Sequence, residues 1–245
     1  MDIAIISGAS SGIGYEITKL LDKEELDELW LIALNENGLN EARKSLTTKT
    51  RFFCVDLSKN DALSGLCEHI SEEKPTVKYL VCSAGVGFNG NLEDLTPNQI
   101  SKMVDINVRA LTSLTYFVLP YMQSGGKIIE IASGSGFMPQ PGFSVYAATK
   151  AYVISLSRAI RHEVRKRKIS VTAVCPGPVQ TPFFKGLENV KDYKRKFAIT
   201  PERVAIHALK CAKKRKAIST PTFSMKMVHL ASKIFPTSLM LKFYK

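Results

Sequence analysis

Two clusters of residues in this chain could do chemistry. The first is Ser7-Gly8-Ala9-Ser10-Ser11-Gly12-Ile13-Gly14, which follows the apolar run Ile3 to Ile6 and leads at once into helical periodicity at Ile13, Ile17, Leu20 and Leu21. Glycines in such a turn let backbone N–H groups approach a pyrophosphate, and the positive end of the following helix favours that anion. The spacing is GxxxGxG rather than GxGxxG, and a glycine-rich turn also serves as a plain tight connection. The second cluster is Tyr146-Ala147-Ala148-Thr149-Lys150, in a segment whose helical pattern continues through Val153, Ile154, Leu156 and Ile160. Residues four apart on a helix share a face. A lysine cation near a phenol favours the phenolate and turns the tyrosine into a usable general acid or base. Taken alone, the pair also fits a surface lysine beside a half-buried tyrosine, which is the commoner meaning of that spacing.

The elements that must position these residues are legible as apolar runs of strand length: Ile3 to Ile6, Leu29 to Leu34, Phe52 to Val55, Tyr79 to Cys82, Lys127 to Ile131 and Val171 to Cys175. Helix-length segments separate them. Short continuous runs suit strands buried on both faces, and strand–helix alternation implies a parallel sheet with right-handed crossovers. The expectation is an α/β fold, a Rossmann-type doubly wound parallel sheet flanked by helices. The 245 residues contain no repeat, low-complexity tract or Pro/Gly-rich linker, so residues 1–245 are expected to form a single domain.

Together the two clusters make the chain resemble the short-chain dehydrogenase/reductase family, from Ile3 to about Thr181. Ser7 to Gly14 is similar to the family's TGxxxGxG turn, with Ser in place of Thr. Asp56, followed by Leu57, falls where the family has an Asp that contacts adenine. Ala84-Gly85 matches the second half of the NNAG element, and Asn107 falls on the family's helix asparagine. Ser133 lies 13 residues before Tyr146, the family's usual separation of catalytic serine and tyrosine. Pro176-Gly177, with Val179 and then Thr181, matches the PGxxxT stretch along the nicotinamide.

The resemblance implies an NAD(P)-dependent oxidoreductase that interconverts a ketone and a secondary alcohol. Tyr146 would be the general acid or base, and Ser133 would hydrogen-bond the reacting oxygen. Lys150 would depress the Tyr146 pKa and bind the nicotinamide ribose, and Asn107 would hold a water linking Lys150 to solvent. The implied cofactor-binding residues are Gly8, Ser10, Ser11, Gly12, Ile13, Gly14, Asn35, Asp56, Leu57, Ala84, Gly85, Tyr146, Lys150, Pro176, Gly177, Val179 and Thr181. Other roles stay open: Ser135 rivals Ser133, Asn107 also fits a packing residue, and Asp56 also fits the cap of a helix beginning near Ser58.

Two departures matter. NNAG becomes Cys82-Ser83-Ala84-Gly85. Strand two ends Leu31-Ile32-Ala33-Leu34-Asn35, so Ala33 and Leu34 carry neither the Asp typical of NAD enzymes nor the Arg typical of NADP enzymes. Ser10, Ser11 and Asn35 can hydrogen-bond a ribose or its 2′-phosphate, and no carboxylate repels that phosphate, so the cofactor choice leans to NADP(H) over NAD(H).

The formal charge of +12 is local: residues 1–184 hold 19 basic and 19 acidic side chains, and residues 185–245 hold 15 and 3. An electrically balanced front part without a reader motif argues against nucleic acid as a partner. Residues 183–245 are expected to form a substrate-covering segment and a basic C-terminal appendage of the same domain. Phe183-Phe184-Lys185-Gly186-Leu187 and Tyr193-Lys194-Arg195-Lys196-Phe197 would line an apolar pocket or meet an acidic group. Thr200-Pro201-Glu202 reads as a helix start, Ala217 to Thr220 as a last strand, and Phe223 to Pro236 as an amphipathic tail.

That tail could cover the pocket, pack at a subunit interface or contact an anionic membrane, and it loosely resembles the subgroup of 3-oxoacyl reductases and 17β-hydroxysteroid dehydrogenases. An apolar, acyl- or steroid-like carbonyl substrate follows from that likeness, and a homodimer or homotetramer from the wider family. The five cysteines and four histidines show no metal-ligand spacing, so no metal is expected, and His162 and His207 read as surface helix positions. With no basic leader before an apolar stretch, the expected location is cytoplasmic. A non-catalytic dinucleotide-binding sensor or scaffold on the same fold is the alternative.

Overall fold

The structure is a computed structural model that describes residues 1–185, 187 and 196–242. Seven strands form one parallel sheet: β1 (Asp2–Ser7), β2 (Glu28–Ala33), β3 (Lys49–Cys54), β4 (Thr76–Cys82), β5 (Met122–Ile131), β6 (Ser170–Val174) and β7 (Ile218–Ser219). The order across the sheet is β3-β2-β1-β4-β5-β6-β7. The chain builds outward from β1 on one side and then restarts at β4 on the other. Ligands of open α/β sheets bind at such a reversal, beyond the carboxyl ends of the strands.

Ten helices accompany the strands among the described residues: α1 (Gly12–Leu21), α2 (Glu36–Arg43), α3 (Asn60–Glu73), α4 (Pro97–Val104), α5 (Leu111–Val118), α6 (Ser144–Glu163), α7 (Pro182–Lys185), α8 (Pro201–Lys213), α9 (Phe223–Ile234) and α10 (Thr237–Lys242). Alternate residues of β1 face opposite layers. Ile3 and Ile5 pack with Leu63 and Leu66 of α3, Leu114 of α5 and Val153 of α6. Ala4 and Ile6 pack with Ile17 and Leu21 of α1, Leu39 of α2 and Val204 and Ala208 of α8. Both faces are therefore covered, which is why the strands read as unbroken apolar runs.

The expected helix start at Thr200 is present, with the Thr200 hydroxyl accepting from Arg203 N and Pro201 in the first turn. His207 is not a plain surface position, because its Nδ1 meets Ser219 Oγ at 2.8 Å. No described helix is long and apolar enough to cross a membrane.

One polar group inside the sheet passed for part of an apolar run. Glu130 on β5 is fully buried and joins two helices: Thr115 Oγ1 of α5 donates to its Oε1 at 3.2 Å, and Ser157 of α6 sits against Oε2. Ser157 Oγ also lies 2.6 Å from Val153 O. A hydroxyl has one hydrogen, so if Ser157 gives it to Val153, a protonated Glu130 supplies the proton of the Ser157 pair. Burial pushes the Glu130 carboxyl up to about 7, with the two hydroxyls pulling the other way. The folded state thus holds this proton where the unfolded chain has lost it, and stability drains as pH rises from about 4.5 to 7. Glu130→Gln keeps the shape without the titration. Its stability relative to the parent is expected to improve between pH 5 and pH 8, by up to about 3 kcal/mol at about 1.4 kcal/mol per unit. Urea midpoints at the two pH values check this, and an equal difference at both would refute it.

Candidate active site

The glycine-rich turn leaves β1 at the reversal point of the sheet. Gly8 and Gly12 have φ of +69° and +58°, a left-handed backbone that a side chain strains. A Cβ at Gly8 would lie 2.7 Å from Ala84 N, and one at Gly14 would collide with the Gly8 carbonyl oxygen. These glycines therefore let α1 pack down onto the ends of β1 and β4. Ser7, in place of the family's Thr, keeps its hydroxyl in use: Oγ accepts from Ser83 N at 3.2 Å and Ala84 N at 3.3 Å. That pins the altered Cys82-Ser83-Ala84-Gly85 segment, and Cys82 Sγ meets Thr115 Oγ1 at 3.8 Å on the far side.

At the start of α1, Ser11 occupies the cap position but makes no side-chain cap bond. The first N–H groups of the helix, at Gly12, Ile13 and Gly14, are thus left to an anionic ligand. Ser10 packs where a Cβ on Gly38 would lie 2.9 Å away, close to Asn35. Asn35 caps α2, its Oδ1 accepting from Gly38 N at 3.0 Å, so its amide NH2 is what remains for a ribose. Leu34 beside it is 63% exposed. Cys54, the exposed cysteine at the end of β3, lies against the Leu34 carbonyl.

Asp56 does not cap the next helix. That helix begins at Asn60 with Lys59 as its cap residue, and Asp56 Oδ1 accepts from Ser58 N and Ser58 Oγ at 2.9 and 2.7 Å. The Ser58 hydroxyl and amide hold its carboxyl below the usual range. Leu57 puts its side chain in the core. From β6, Pro176 O accepts from Gly134 N at 2.8 Å, Val179 is buried, and Thr181 brings its methyl within 3.1 Å of the Cβ position of Gly12. The cofactor candidates at the ends of β1, β2, β3, β4 and β6 thus line one edge of the sheet, which fits an extended dinucleotide.

The four catalytic candidates meet beyond β4 and β5. Tyr146 and Lys150 are buried on α6, and the Ser133 hydroxyl is near enough to the Tyr146 phenol to favour its ionised form. Ser133 Oγ also accepts from Ser135 N at 3.1 Å, so Ser135 orients Ser133 through its backbone. The Lys150 ammonium lies 5.7 Å from the Tyr146 ring centroid and donates to Ile131 O at 2.8 Å. A Cβ at Gly85 would come within 3.2 Å of Asn107 Oδ1 and 3.4 Å of Lys150 Nζ.

Asn107 sits in a π-helical turn, Asp105–Ala110, between α4 and α5. Both amide hydrogens of its side chain are engaged: Nδ2 donates to Val86 O at 2.8 Å and to Thr149 Oγ1 at 3.1 Å, while Oδ1 accepts from Val86 N at 2.9 Å. Thr149 in turn donates to Tyr146 O at 2.8 Å. A water on Asn107 therefore cannot accept from its side-chain amide, and is left with the second lone pair of Oδ1 or the backbone carbonyl of the π turn.

Burial acts on both members of the Tyr146–Lys150 pair. Burial pushes the phenol up to about 12, with the Ser133 hydroxyl pulling down. Burial likewise brings Lys150 down to about 8, opposed by the neighbouring Cys175. Tyr146 therefore stays protonated at neutral pH, the state of a proton donor.

Sequence patterns gave no sign of several neighbours of the site. Phe143 stacks on Tyr146 at 4.3 Å between centroids, and Phe183 of α7 lies at 5.6 Å. With Val86, Phe88, Leu95, Ile100 and Met103 they make an apolar wall around the phenol. Phe183, which the sequence already offered for an apolar pocket, packs beside Tyr146, whereas Phe197 is 75% exposed. Gly186 and Tyr193-Lys194-Arg195 lie outside the described residues. Met225 of α9 packs on Gly134 and Gly177, and His229 stacks on Phe137 at 4.5 Å. The inner face of the tail helix therefore covers the loops that carry Ser133 and Pro176. No group of three or more His, Cys, Asp or Glu among the described residues is placed to hold a metal ion.

A parallel sheet reversing at β1 and β4, an uncapped helix start on a glycine turn and a Ser–Tyr–Lys cluster beside it are the arrangement expected of a Rossmann-type oxidoreductase. Comparison with known proteins agrees. The family model for short chain dehydrogenase matches residues 2–192. An uncharacterized oxidoreductase of Staphylococcus epidermidis is 31% identical over 188 residues, 76% of this chain and 81% of that protein. A 3-oxoacyl-(acyl-carrier-protein) reductase of Chlamydia muridarum is 31% identical over 230 residues, 89% of this chain and 92% of that protein. A short-chain dehydrogenase from Sphingobium yanoikuyae, solved in complex with NADPH, superposes with a TM-score of 0.84 at 25% identity, over 100% of this chain and 97% of that one. The chain belongs to the short chain dehydrogenase family and is an oxidoreductase.

Proposed function

We propose that the protein interconverts a ketone and a secondary alcohol with NADP(H) in preference to NAD(H). The observation that carries this is the buried Tyr146 phenol on α6, with the buried Lys150 ammonium 5.7 Å from its ring centroid and Ser133 facing it. A bound nicotinamide would supply or accept the hydride. Gly8, Ser10, Ser11, Gly12, Ile13 and Gly14 would hold the pyrophosphate end, Asn35, Asp56 and Leu57 the adenosine end, and Ala84, Gly85, Pro176, Gly177, Val179 and Thr181 the remainder.

In reduction, Tyr146 donates its proton to the carbonyl oxygen. Ser133, whose oxygen already accepts from Ser135 N, gives its hydroxyl hydrogen to the same atom and so favours the charge that grows there. Lys150 binds ribose hydroxyls, and Asn107 ties its own turn to α6 through Thr149, with its carbonyl available to a water that resupplies protons. The wall of Phe143, Phe183, Val86 and Phe88 suits an apolar acyl- or steroid-like substrate, the acyl form being in keeping with the Chlamydia relative, a 3-oxoacyl-(acyl-carrier-protein) reductase.

The preference for NADP(H) is supported by Ala33 and Leu34, where no carboxylate faces the 2′ position. The five unpaired cysteines suit a reducing cytoplasm. The exposed apolar residues and lysines of the tail suit association, with another subunit or an anionic membrane. Fluorescence titration with NADPH and NADH, then turnover of an acyl and steroid ketone panel with the tighter one, tests the assignment. Tighter NADPH and turnover of an apolar ketone are expected; tighter NADH would reverse the cofactor preference, and no turnover of any ketone or alcohol would refute the reaction.

A further inference from the structure

At the opposite edge of the sheet from Tyr146, a cleft is lined by Arg158, Arg161, His162, Arg165, Ile169 and Arg215. The first four polar residues fall at i, i+3, i+4 and i+7, so they share one face of α6 and the turn that follows it. Arg215 arrives from a different element, just after α8, with a left-handed backbone at φ +54°. Arg158 lies 12 residues beyond Tyr146, roughly 18 Å along the helix at 1.5 Å per residue.

Cations at the end of a helix are ordinarily explained by its dipole. That accounts for Arg161 and His162 in the last turn of α6, and for Arg215 at the end of α8, but neither for Arg158 earlier in the helix nor for two helix ends turning their guanidinium groups into one cleft. Among the described residues, none of the four arginines makes an ion pair with a carboxylate. Residues 203–242 carry no acidic side chain at all. Arg161 is fixed in place, its guanidinium donating to Val171 O at 3.3 Å and Arg215 O at 2.5 Å. Arg165 is held against His162. Several guanidinium groups are thus gathered in one cleft with no counter-charge, and a planar fork of donors is the usual partner of phosphate oxygens.

We infer that this cleft is a second anion site, for a phosphate-type oxyanion, separate from the dinucleotide cleft. The phosphate could belong to a soluble ester or to the headgroup of an anionic lipid. For the lipid source, Arg158 lies close enough to α9 for its charge to act on His229. The other side of α9 exposes Phe223, Met227, Leu230 and Ile234, at i, i+4, i+7 and i+11, with Lys226 and Lys233 between them.

The test uses the full chain and an Arg158→Gln/Arg165→Gln double variant, which spares the anchored Arg161 and every group of the active site. Thermal unfolding is followed with pyrophosphate and with sodium chloride at equal ionic strength. Sedimentation is measured with phosphatidylcholine vesicles and with vesicles containing phosphatidylglycerol. A rise in Tm with pyrophosphate beyond that of chloride, weakened at least tenfold in the double variant, supports the site with a soluble ligand. Binding to the anionic vesicles alone, weakened by the same factor, supports it with a lipid ligand. Arg215→Gln must weaken the same response, which guards against misfolding of the double variant, and unchanged turnover in both variants confirms that the active site is intact. No response beyond chloride and neutral vesicles, or a response that survives the substitutions, overturns the site.

Discussion

Tyr146→Phe is expected to lower kcat by about 10³-fold or more, in the upper range for loss of a general acid, while dinucleotide affinity changes by less than about twofold. The substitution removes one oxygen and leaves the ring, so the stacking on Phe143 and the contact with Phe183 persist. The backbone oxygen of Tyr146, which accepts from Thr149, is also untouched. Loss of turnover can then be assigned to the missing proton rather than to a loosened α6. Ser133→Ala is expected to cost about 10²-fold, as for a single oxyanion donor. The two directions should separate with pH. Reduction needs the protonated phenol, which burial maintains, whereas oxidation needs the phenolate, so the oxidative rate should climb more steeply as pH rises. Turnover undiminished in Tyr146→Phe would exclude the mechanism and leave a dinucleotide-binding sensor as the better description.

The second large effect is expected at Gly14. A Cβ there would collide with the carbonyl oxygen of Gly8 and crowd Ser83. The main obstacle is backbone pinned by strand pairing, so relief requires α1 to lift off β1. Gly14→Ala should cost about 3 kcal/mol of stability, the upper end for overpacking, and weaken dinucleotide binding at least tenfold because the helix start moves. Gly65→Ala is the control. Nothing lies within 4 Å of a Cβ at that position in α3, and replacing a helical glycine there should add about 0.5–1 kcal/mol. Denaturant midpoints and cofactor titration on both variants check the contrast; equal effects would show that the turn tolerates a side chain.

The strands and the principal motifs were legible because each depends on local order. A run such as Ile3 to Ile6 must be buried on both faces wherever it is placed, and a glycine turn followed by helical periodicity is contiguous. All six apolar runs and the short run near Ala217 became strands. What local order could not supply was contact between distant segments. Glu130 looked like a lapse in an apolar run because its partners, Thr115 and Ser157, come from two other elements. Met225 and Thr149 carry no motif, yet one covers Gly134 and Gly177 and the other links Asn107 to Tyr146. Asp56 fitted an adenine contact and, as the other reading, a helix cap; the helix starts two residues beyond Ser58, at Asn60, so its carboxylate turns to Ser58 instead of capping. The balance at Tyr146 and Lys150 was out of reach for a related reason: spacing shows that two groups share a face, but how burial and charge offset each other depends on everything packed around them.

The shape of the sheet's margins bears on how copies of this chain meet. β7 contributes only Ile218 and Ser219 to the ladder, and Pro221, which has no N–H, follows two residues later. At the other margin β3 carries Lys49 and Arg51, both paired to the buried Glu28 of β2. A short strand stopped by proline and a strand bristling with cations are poor templates for a foreign strand. Growth of the sheet from molecule to molecule, the usual first step toward fibrous aggregates, is thereby discouraged at both ends, and association is left to the helices.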